Sequence, residues 1–405
     1  MRIILCGLMF SESGLGLSKK YSKTSLQMAP HLFLTNLANG LRVASEDVEL
    51  SVINIMPVGS FPMHDKRLLI RREVWGEDNV GVGYLNLPVV KHHIQKRALI
   101  REIEKKLDLK HPENNFLLVY HTYLPFLEAV KCLKIKYPAI KTALIATDCV
   151  PGRGDMEKYM TPAAVKRGNK AVELAKWCDG FVLLTKYLAE ALEIGDKPYV
   201  ITECIANENQ MRCRPNAESK NRCLYTGSIS LEFGVCELAD AFANLDNAEL
   251  WICGGGSGKD YIESLAETHK NIKYFGFVDH ERLQDIRNEC DFLINPRRPT
   301  GTYTKYSFPS KTAEYMMSGK PVIMYKLEGL PDSYDKYLNY LSADTPESIK
   351  DELTKIFELN YSSLLQKADL GRAFMLENAS SVAQAKKIVG LFQKLSDTKN
   401  DSRSK

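Results

Sequence analysis

The residues best equipped for chemistry lie between 292 and 323, in the stretch FLINPRRPTGTYTKYSFPSKTAEYMMSGKPVI. An apolar run ends at Asn295 and is followed at once by Arg297 and Arg298. After a polar loop, Ser310, Lys311 and Thr312 open a segment with helical spacing, and Glu314 stands one turn along. A helix amino terminus offers N–H groups without intrahelical acceptors and the positive end of the helix dipole. Lys311 adds a full charge, and the two arginines stand close in sequence. Together these groups make a metal-free site for a diphosphate, with charge placed where a departing diphosphate gains it. Glu314 can accept hydrogen bonds from sugar or ribose hydroxyls, although alone it would read as an ordinary exposed helix carboxylate.

Two glycine loops could complete such a site. Gly227-Ser228 and Gly254-Gly255-Gly256 each follow an apolar run, where glycine lets backbone N–H groups approach a phosphate. The same glycines would equally serve the geometry of a strand-to-helix turn. Standard nucleotide motifs fail here. In a Walker A loop, Gly258-Lys259 would need glycine at Cys253 and serine or threonine at Asp260. The dinucleotide pattern would need glycine at Lys259 after Gly254 and Gly256, or at Lys19 after Gly14 and Gly16. Neither D-x-D nor H-E-x-x-H occurs, so no metal centre is expected.

In the amino-terminal half, His121 follows the apolar run Phe116–Tyr120, and Asp148 follows Thr142–Ala146. Both are expected at strand ends facing a cleft, although His121 could equally cap or pack. Gly14, in the glycine-bearing loop Ser13-Gly14-Leu15-Gly16, and His31, after Pro30, are further acceptor-side candidates.

Such residues need a scaffold that brings strand ends together. Apolar runs at 2–6, 50–55, 116–120, 142–146 and 180–184 alternate with helical patterns at 28–41, 125–137, 163–177 and 186–192. The polar stretch 206–221 reads as a linker. Beyond it the pattern restarts, with strands at 223–226, 249–253, 272–275, 292–295 and 321–324 and helices at 236–243, 261–270 and 310–318. Strands that are apolar throughout belong to parallel sheets covered on both faces. The expectation is α/β: two doubly wound parallel-sheet domains, residues 1–205 and 206–378, facing a central cleft. A carboxy-terminal helix from 381 to 395 and a frayed tail make up residues 379–405.

A chain of 405 residues suits two domains, with 44% hydrophobic and 26% charged residues in the balance of a globular protein. The ten cysteines are scattered singly, which argues against a disulfide framework or structural zinc. No apolar run is long enough to span a membrane and the start lacks a signal-peptide pattern, which points to the cytoplasm. Net charge is +4, but residues 1–200 carry +7 and the remainder −3. The basic half is expected to meet something anionic. The stretch Lys91–His111 reads either as a solvated helix with one buried stripe or as a surface resting on anionic lipid. No nucleic-acid motif accompanies it.

Several segments resemble the retaining nucleotide-sugar glycosyltransferases of family 4, also called glycosyl transferases group 1. YTGSISLEFGVCELADAF is similar to the family's Y-x-G-x6-G-x3-L-x2-A-F block. LWICGGGSGKDY and YFGFVDHERLQDIRNECDFLINP resemble the blocks that follow it. SFPSKTAEYMMSGKPVI is similar to the signature of subfamilies that build bacterial capsule, exopolysaccharide and O-antigen.

The resemblance implies a GT-B fold of two Rossmann-like domains and a hexosyl or N-acetylhexosaminyl transferase without a cofactor. Its donor would be a nucleotide diphosphate sugar, UDP on family frequency, and its acceptor a glycan, lipid-linked, at the inner face of the membrane. Glu314 would hold the donor ribose. Gly227, Ser228, Ser310 and Lys311 would line the donor site by that match, and the reading of the residues adds Gly255, Arg298 and Thr312 to them. Lys311, Arg297 and His121 would act nearest the reacting sugar, with Gly14, His31 and Asp148 on the acceptor side. Two positions depart from the pattern: Tyr306 stands where the first motif glutamate would fall, and Phe233 where many relatives have lysine. Those departures keep open a non-catalytic nucleotide-sugar-binding partner of a glycan-assembly complex, and the fold itself leaves a second alternative, a nucleotide-sugar epimerase.

Overall fold

A computed structural model describes residues 1–24, 26, 28–76, 79–153, 160–300 and 302–397. The tail from 398 to 405, expected to fray, lies outside the described residues. The chain forms two compact units, one of Met1–Ile205 with Ala379–Lys405, the other of Ala206–Asn378.

The first unit contains β1 (Arg2–Gly7), α1 (Glu12–Tyr21), α2 (Met28–Val43), β2 (Glu49–Asn54), β3 (Leu69–Ile70), β4 (Glu73–Trp75), β5 (Asn79–Gly81) and β6 (Tyr84–Leu85). It continues through α3 (Lys91–Lys106), β7 (Asn115–Tyr120), α4 (Leu124–Lys136), β8 (Lys141–Ala146), α5 (Pro162–Ala175), β9 (Gly180–Leu183), α6 (Tyr187–Ala191) and β10 (Tyr199–Ile201). Eight strands form one sheet in the order β10-β9-β8-β7-β1-β2-β5-β4, parallel except where β4 meets β5. Every residue of β7 and β8 is buried, because helices cover both faces. The strand order reverses between β1 and β7, and in such sheets ligands bind at the carboxyl ends flanking that reversal. The pair β3–β6 stands apart as a small antiparallel arm.

The second unit contains β11 (Arg222–Ser228), α7 (Val235–Ala243), β12 (Glu249–Gly255), α8 (Lys259–Thr268), β13 (Ile272–Gly276), α9 (His280–Glu289) and β14 (Phe292–Asn295). It ends with α10 (Ser310–Ser318), β15 (Val322–Tyr325), β16 (Asn339–Leu341), α11 (Pro346–Phe357) and α12 (Tyr361–Asn378). Its six-stranded sheet, ordered β13-β12-β11-β14-β15-β16, is parallel throughout. The order reverses between β11 and β14, so Gly227 and Asn295 end strands at the switch point. Local signals fix the helix ends. The Asp279 carboxylate caps α9 through the Arg282 N–H, Thr345 caps α11 ahead of Pro346, and Gly319 closes α10 at φ +74°.

The last helix, α13 (Ser381–Asp397), belongs to the first unit and contributes Ile388, Leu391, Phe392 and Leu395 to its core. It packs on α2 so closely that a β-carbon at Gly40 would lie 2.1 Å from the Ser381 carbonyl oxygen. Gly40 therefore has to be glycine. Each such fully buried Leu, Ile or Phe contributes about 1.5–3 kcal/mol. Among the described residues, no helix is long and apolar enough to cross a membrane.

One expected loop is a helix. Ser13-Gly14-Leu15-Gly16 lies within α1, with Ser11 as its cap, so Gly14 occupies a first helical turn and not a flexible glycine loop. The amphipathic reading of 91–106 corresponds to α3, whose buried residues include Leu99 and Ile103.

Candidate functional site

The site of the second unit grows from the end of β11. The Tyr315 hydroxyl, fully buried on α10, accepts the Thr226 N–H at 3.0 Å and so pins α10 to the last residues of β11. This contact carries Lys311 over the neighbouring glycine. A β-carbon at Gly227, where φ is +143°, would lie 2.4 Å from Lys311 Cε and 2.7 Å from Nζ. Only glycine leaves room for that ammonium. Lys311 is half-buried, and among the described residues no carboxylate stands within ion-pair distance of it. Burial and the nearby charge of Arg287 pull its ammonium down to about 8.

Arg297 joins the same corner. Its guanidinium stands over the Phe233 ring, 5.8 Å from the centroid, so the aromatic at that position seats a cation by its π face. The Arg297 charge also opposes the burial that pushes the Tyr225 hydroxyl up to about 12. Tyr225 in turn donates to the Ser228 carbonyl at 2.7 Å, and a β-carbon at Gly227 would meet its hydroxyl at 3.4 Å. Gly227, Tyr225, Lys311 and Arg297 thus converge, with Ser228 exposed beside them.

The next strand end continues the floor. Gly227 and Ser228 pair with Gly254 and Gly255 of β12. Phe277, just past β13, is 88% exposed, and its ring lies where a Gly255 β-carbon would be 2.7 Å away. An aromatic ring held bare at the strand ends is a platform for a flat ligand.

Other expected members stand differently. Arg298 lies 3.6 Å from Glu237, so its charge is paired inside the unit. Thr312 is fully buried, its hydroxyl directed at the Met324 sulfur at 3.4 Å, and it offers no side chain to a ligand. At the start of α10 successive side chains leave in different directions, so Lys311 faces the glycine loop while Thr312 turns into the core. Ser310 begins α10 and is exposed. Glu314 is ion-paired with Arg287 of α9, which is only 3% exposed. Tyr306 is buried. Sequence reasoning missed Arg287 and Phe277, because an arginine in HERLQDIRNEC and an aromatic in YFGFV look like routine surface and core.

The first unit presents a different set. His121, at the end of β7, holds φ +61°, a region non-glycine residues seldom adopt. The Thr122 N–H donates to its Nδ1 at 2.7 Å, which makes Nδ1 an acceptor and leaves the ring proton on Nε2. Burial lowers the imidazole pKa, against the opposing charge of exposed Asp148. His121 is therefore a neutral donor through Nε2. Nearby in the fold, Ser11 Oγ accepts the Gly14 N–H at 2.9 Å and donates to Glu73 Oε2 at 2.7 Å, while Ser13 donates to Glu73 Oε1. The α1 terminus is thus already met by a carboxylate. His31 is a packing residue: its Nδ1 accepts the Phe10 N–H at 3.3 Å and its ring meets Phe10 edge-on.

Comparison with known proteins adds the class. Residues 220–358 match the family described as glycosyl transferases group 1. No curated protein sequence matches the chain. Among solved structures it is similar to sucrose-phosphate synthase from Thermosynechococcus elongatus (13% identity, 98% of this chain and 99% of that one, TM-score 0.59). It is also similar to the E. coli trehalose-6-phosphate structure bound with UDP-2-fluoro glucose (9%, 97% and 99%, TM-score 0.65). A lipopolysaccharide outer core galactosyltransferase matches too (13%, 97% and 99%, TM-score 0.59). The fold is GT-B, with two Rossmann-like units, and the group 1 domain makes the chain a glycosyltransferase.

Proposed function

We propose that this chain transfers a sugar, with retention at the anomeric carbon, from a UDP-sugar to a lipid-linked glycan in bacterial surface polysaccharide synthesis. The observation that carries the reading is the Lys311 ammonium seated on Gly227 without a carboxylate partner among the described residues. Lys311 and Arg297 would receive the diphosphate, and neither needs a metal to do so. The exposed ring of Phe277 would lie under the base, and Glu314, released from Arg287, would take the ribose hydroxyls. In the transfer, the acceptor oxygen bonds the anomeric carbon on the face the diphosphate leaves. The hydroxyl proton passes to the departing phosphate oxygen. His121 Nε2–H would donate to a sugar hydroxyl and orient the ring.

The test is a panel of UDP-, GDP- and dTDP-sugars in the presence of EDTA, read by thermal shift and by release of free nucleotide. The expected result is stabilisation by uridine nucleotides, slow metal-independent hydrolysis of one UDP-sugar, and faster release once a lipid-linked glycan is added. Conversion of donor without any acceptor into an isomer would make the protein an epimerase. Binding with no turnover in the presence of membrane-extracted glycolipids would make it a non-catalytic partner.

A further inference from the structure

Arg287 is a guanidinium in an uncommon place. It stands on α9 with 3% of its side chain exposed, and burial holds its pKa below the ordinary arginine value. Cys213, Cys253 and Tyr315 lie around it, and burial raises all three, so none of them carries charge near neutral pH. Among the described residues the only carboxylate paired with Arg287 is Glu314, and the Arg287 Nε has no hydrogen-bond partner. A buried charge with a single counter-ion is costly to strand.

The same guanidinium acts on Lys311. Residues 311, 314 and 315 are three and four apart on α10 and so share one side of the helix, the side that meets Arg287. There the Arg287 charge adds to burial in lowering the Lys311 ammonium, so two cations stand together with one carboxylate between them to share. That carboxylate serves Arg287, yet its side chain is 37% exposed and open to a second partner. The helix itself has little freedom. Gln210 Nε2 donates to the Glu314 carbonyl at 2.7 Å, and the Tyr315 hydroxyl holds the Thr226 N–H. A change of partner at Glu314 is therefore a rotation of its side chain that leaves α10 in place.

We infer that Arg287 is a positioning residue that acts through Glu314 and makes the ribose contact conditional on the diphosphate. A nucleoside alone must break a buried ion pair to win the Glu314 carboxylate. A diphosphate on Lys311 brings negative charge to the same pair of cations. Glu314 then leaves Arg287 at little cost and turns to the ribose hydroxyls. The site is thereby matched to a nucleoside diphosphate as a unit, and its two halves bind with positive coupling that linkage makes reciprocal. This deepens the proposed donor site and rests on its assignment of Lys311 to the diphosphate and Glu314 to the ribose.

The experiment measures the affinity of uridine for the full chain with and without saturating inorganic pyrophosphate, by ligand-observed NMR titration, with UDP as the reference ligand. In wild type, pyrophosphate should tighten uridine binding about tenfold. In Arg287→Met, which frees Glu314, uridine alone should bind about tenfold more tightly than to wild type, and pyrophosphate should add little. Glu314→Gln keeps the shape of the side chain without its charge and should also abolish the coupling, which serves if Arg287→Met does not fold. An arginine needed only for the fold would, once replaced, weaken every ligand alike and leave the coupling as it is. The inference is overturned, with the donor site intact, if UDP binds wild type but uridine is indifferent to pyrophosphate. It is equally overturned if folded Arg287→Met or Glu314→Gln keeps the wild-type coupling. Failure of UDP itself to bind wild type would overturn the donor-site assignment and the inference together.

Discussion

The two units share an architecture, a parallel sheet with a reversal of strand order, yet their first strand ends carry opposite electrostatics. In the second unit, β11 closes on Gly227-Ser228, where the glycine leaves room for Lys311, with Arg297 beside it. In the first, β1 leads to the α1 terminus, where Glu73 already occupies the place an anion would take through Ser11 and Ser13. His121, at the end of the neighbouring strand β7, is fixed as a neutral donor. One scaffold therefore carries two electrostatic settings: a cationic strand end, which we propose receives the diphosphate, and a polar strand end that already holds a carboxylate. The division rests on a few side chains at strand ends, the part of the fold that sheet packing leaves free.

The largest test of this contrast is Lys311→Met, which should lower kcat/KM by about 10²–10³-fold with the fold intact. Steady-state assays with a near-wild-type rate would remove Lys311 from the mechanism. Gly227→Ala attacks the same contact from the other side. Its β-carbon would displace Lys311, and transfer should fall about tenfold, with about 1–3 kcal/mol of lost stability from the forced φ. The double variant should be no slower than Lys311→Met alone.

Acidity gives a sharper signature. With the Lys311 ammonium held at about 8, affinity for a nucleoside diphosphate should fall as pH rises through that value. Stability should move the other way: above about 8 the unfolded chain binds more protons at this lysine than the folded one, so melting temperature gains a rising component toward the ordinary lysine pKa. Calorimetric titrations and melts of wild type against Lys311→Met would resolve both slopes, and a flat affinity profile would remove the phosphate role.

Smaller effects are expected in the first unit. His121→Gly keeps the left-handed backbone without strain, so transfer should drop about three- to tenfold at unchanged nucleotide affinity and melting temperature. A loss of nucleotide binding would place His121 in the diphosphate pocket instead. Glu73→Gln removes only a charge near a helix start and should cost about 0.5–1 kcal/mol by denaturant melts. A large gain in affinity for anionic acceptor analogues would show the same site opened to phosphate.

The sequence by itself determined the repeated alternation of apolar strands and helices, because runs such as NFLLVY and KTALIA can be satisfied only inside a covered parallel sheet. It also placed Gly227, Arg297 and Lys311 as a group, since strand ends and helix starts are local features readable from spacing. What it could not decide was which neighbours face one another. Arg298 and Thr312 are adjacent in sequence to Arg297 and Lys311, yet one turns to Glu237 and the other into the core. Arg287 reaches Glu314 from another helix, and Glu73 reaches α1 across some sixty residues of chain. Within the dense basic run of α3, Lys96 and Lys105 meet the carboxylates of Glu128 and Glu102 once the chain is packed, and Lys91 is buried on the Val58 carbonyl. Spacing fixes the elements, because periodicity is a property of the chain. Side-chain direction and charge pairing belong to the packed structure, because they depend on residues that only folding brings within a few ångströms.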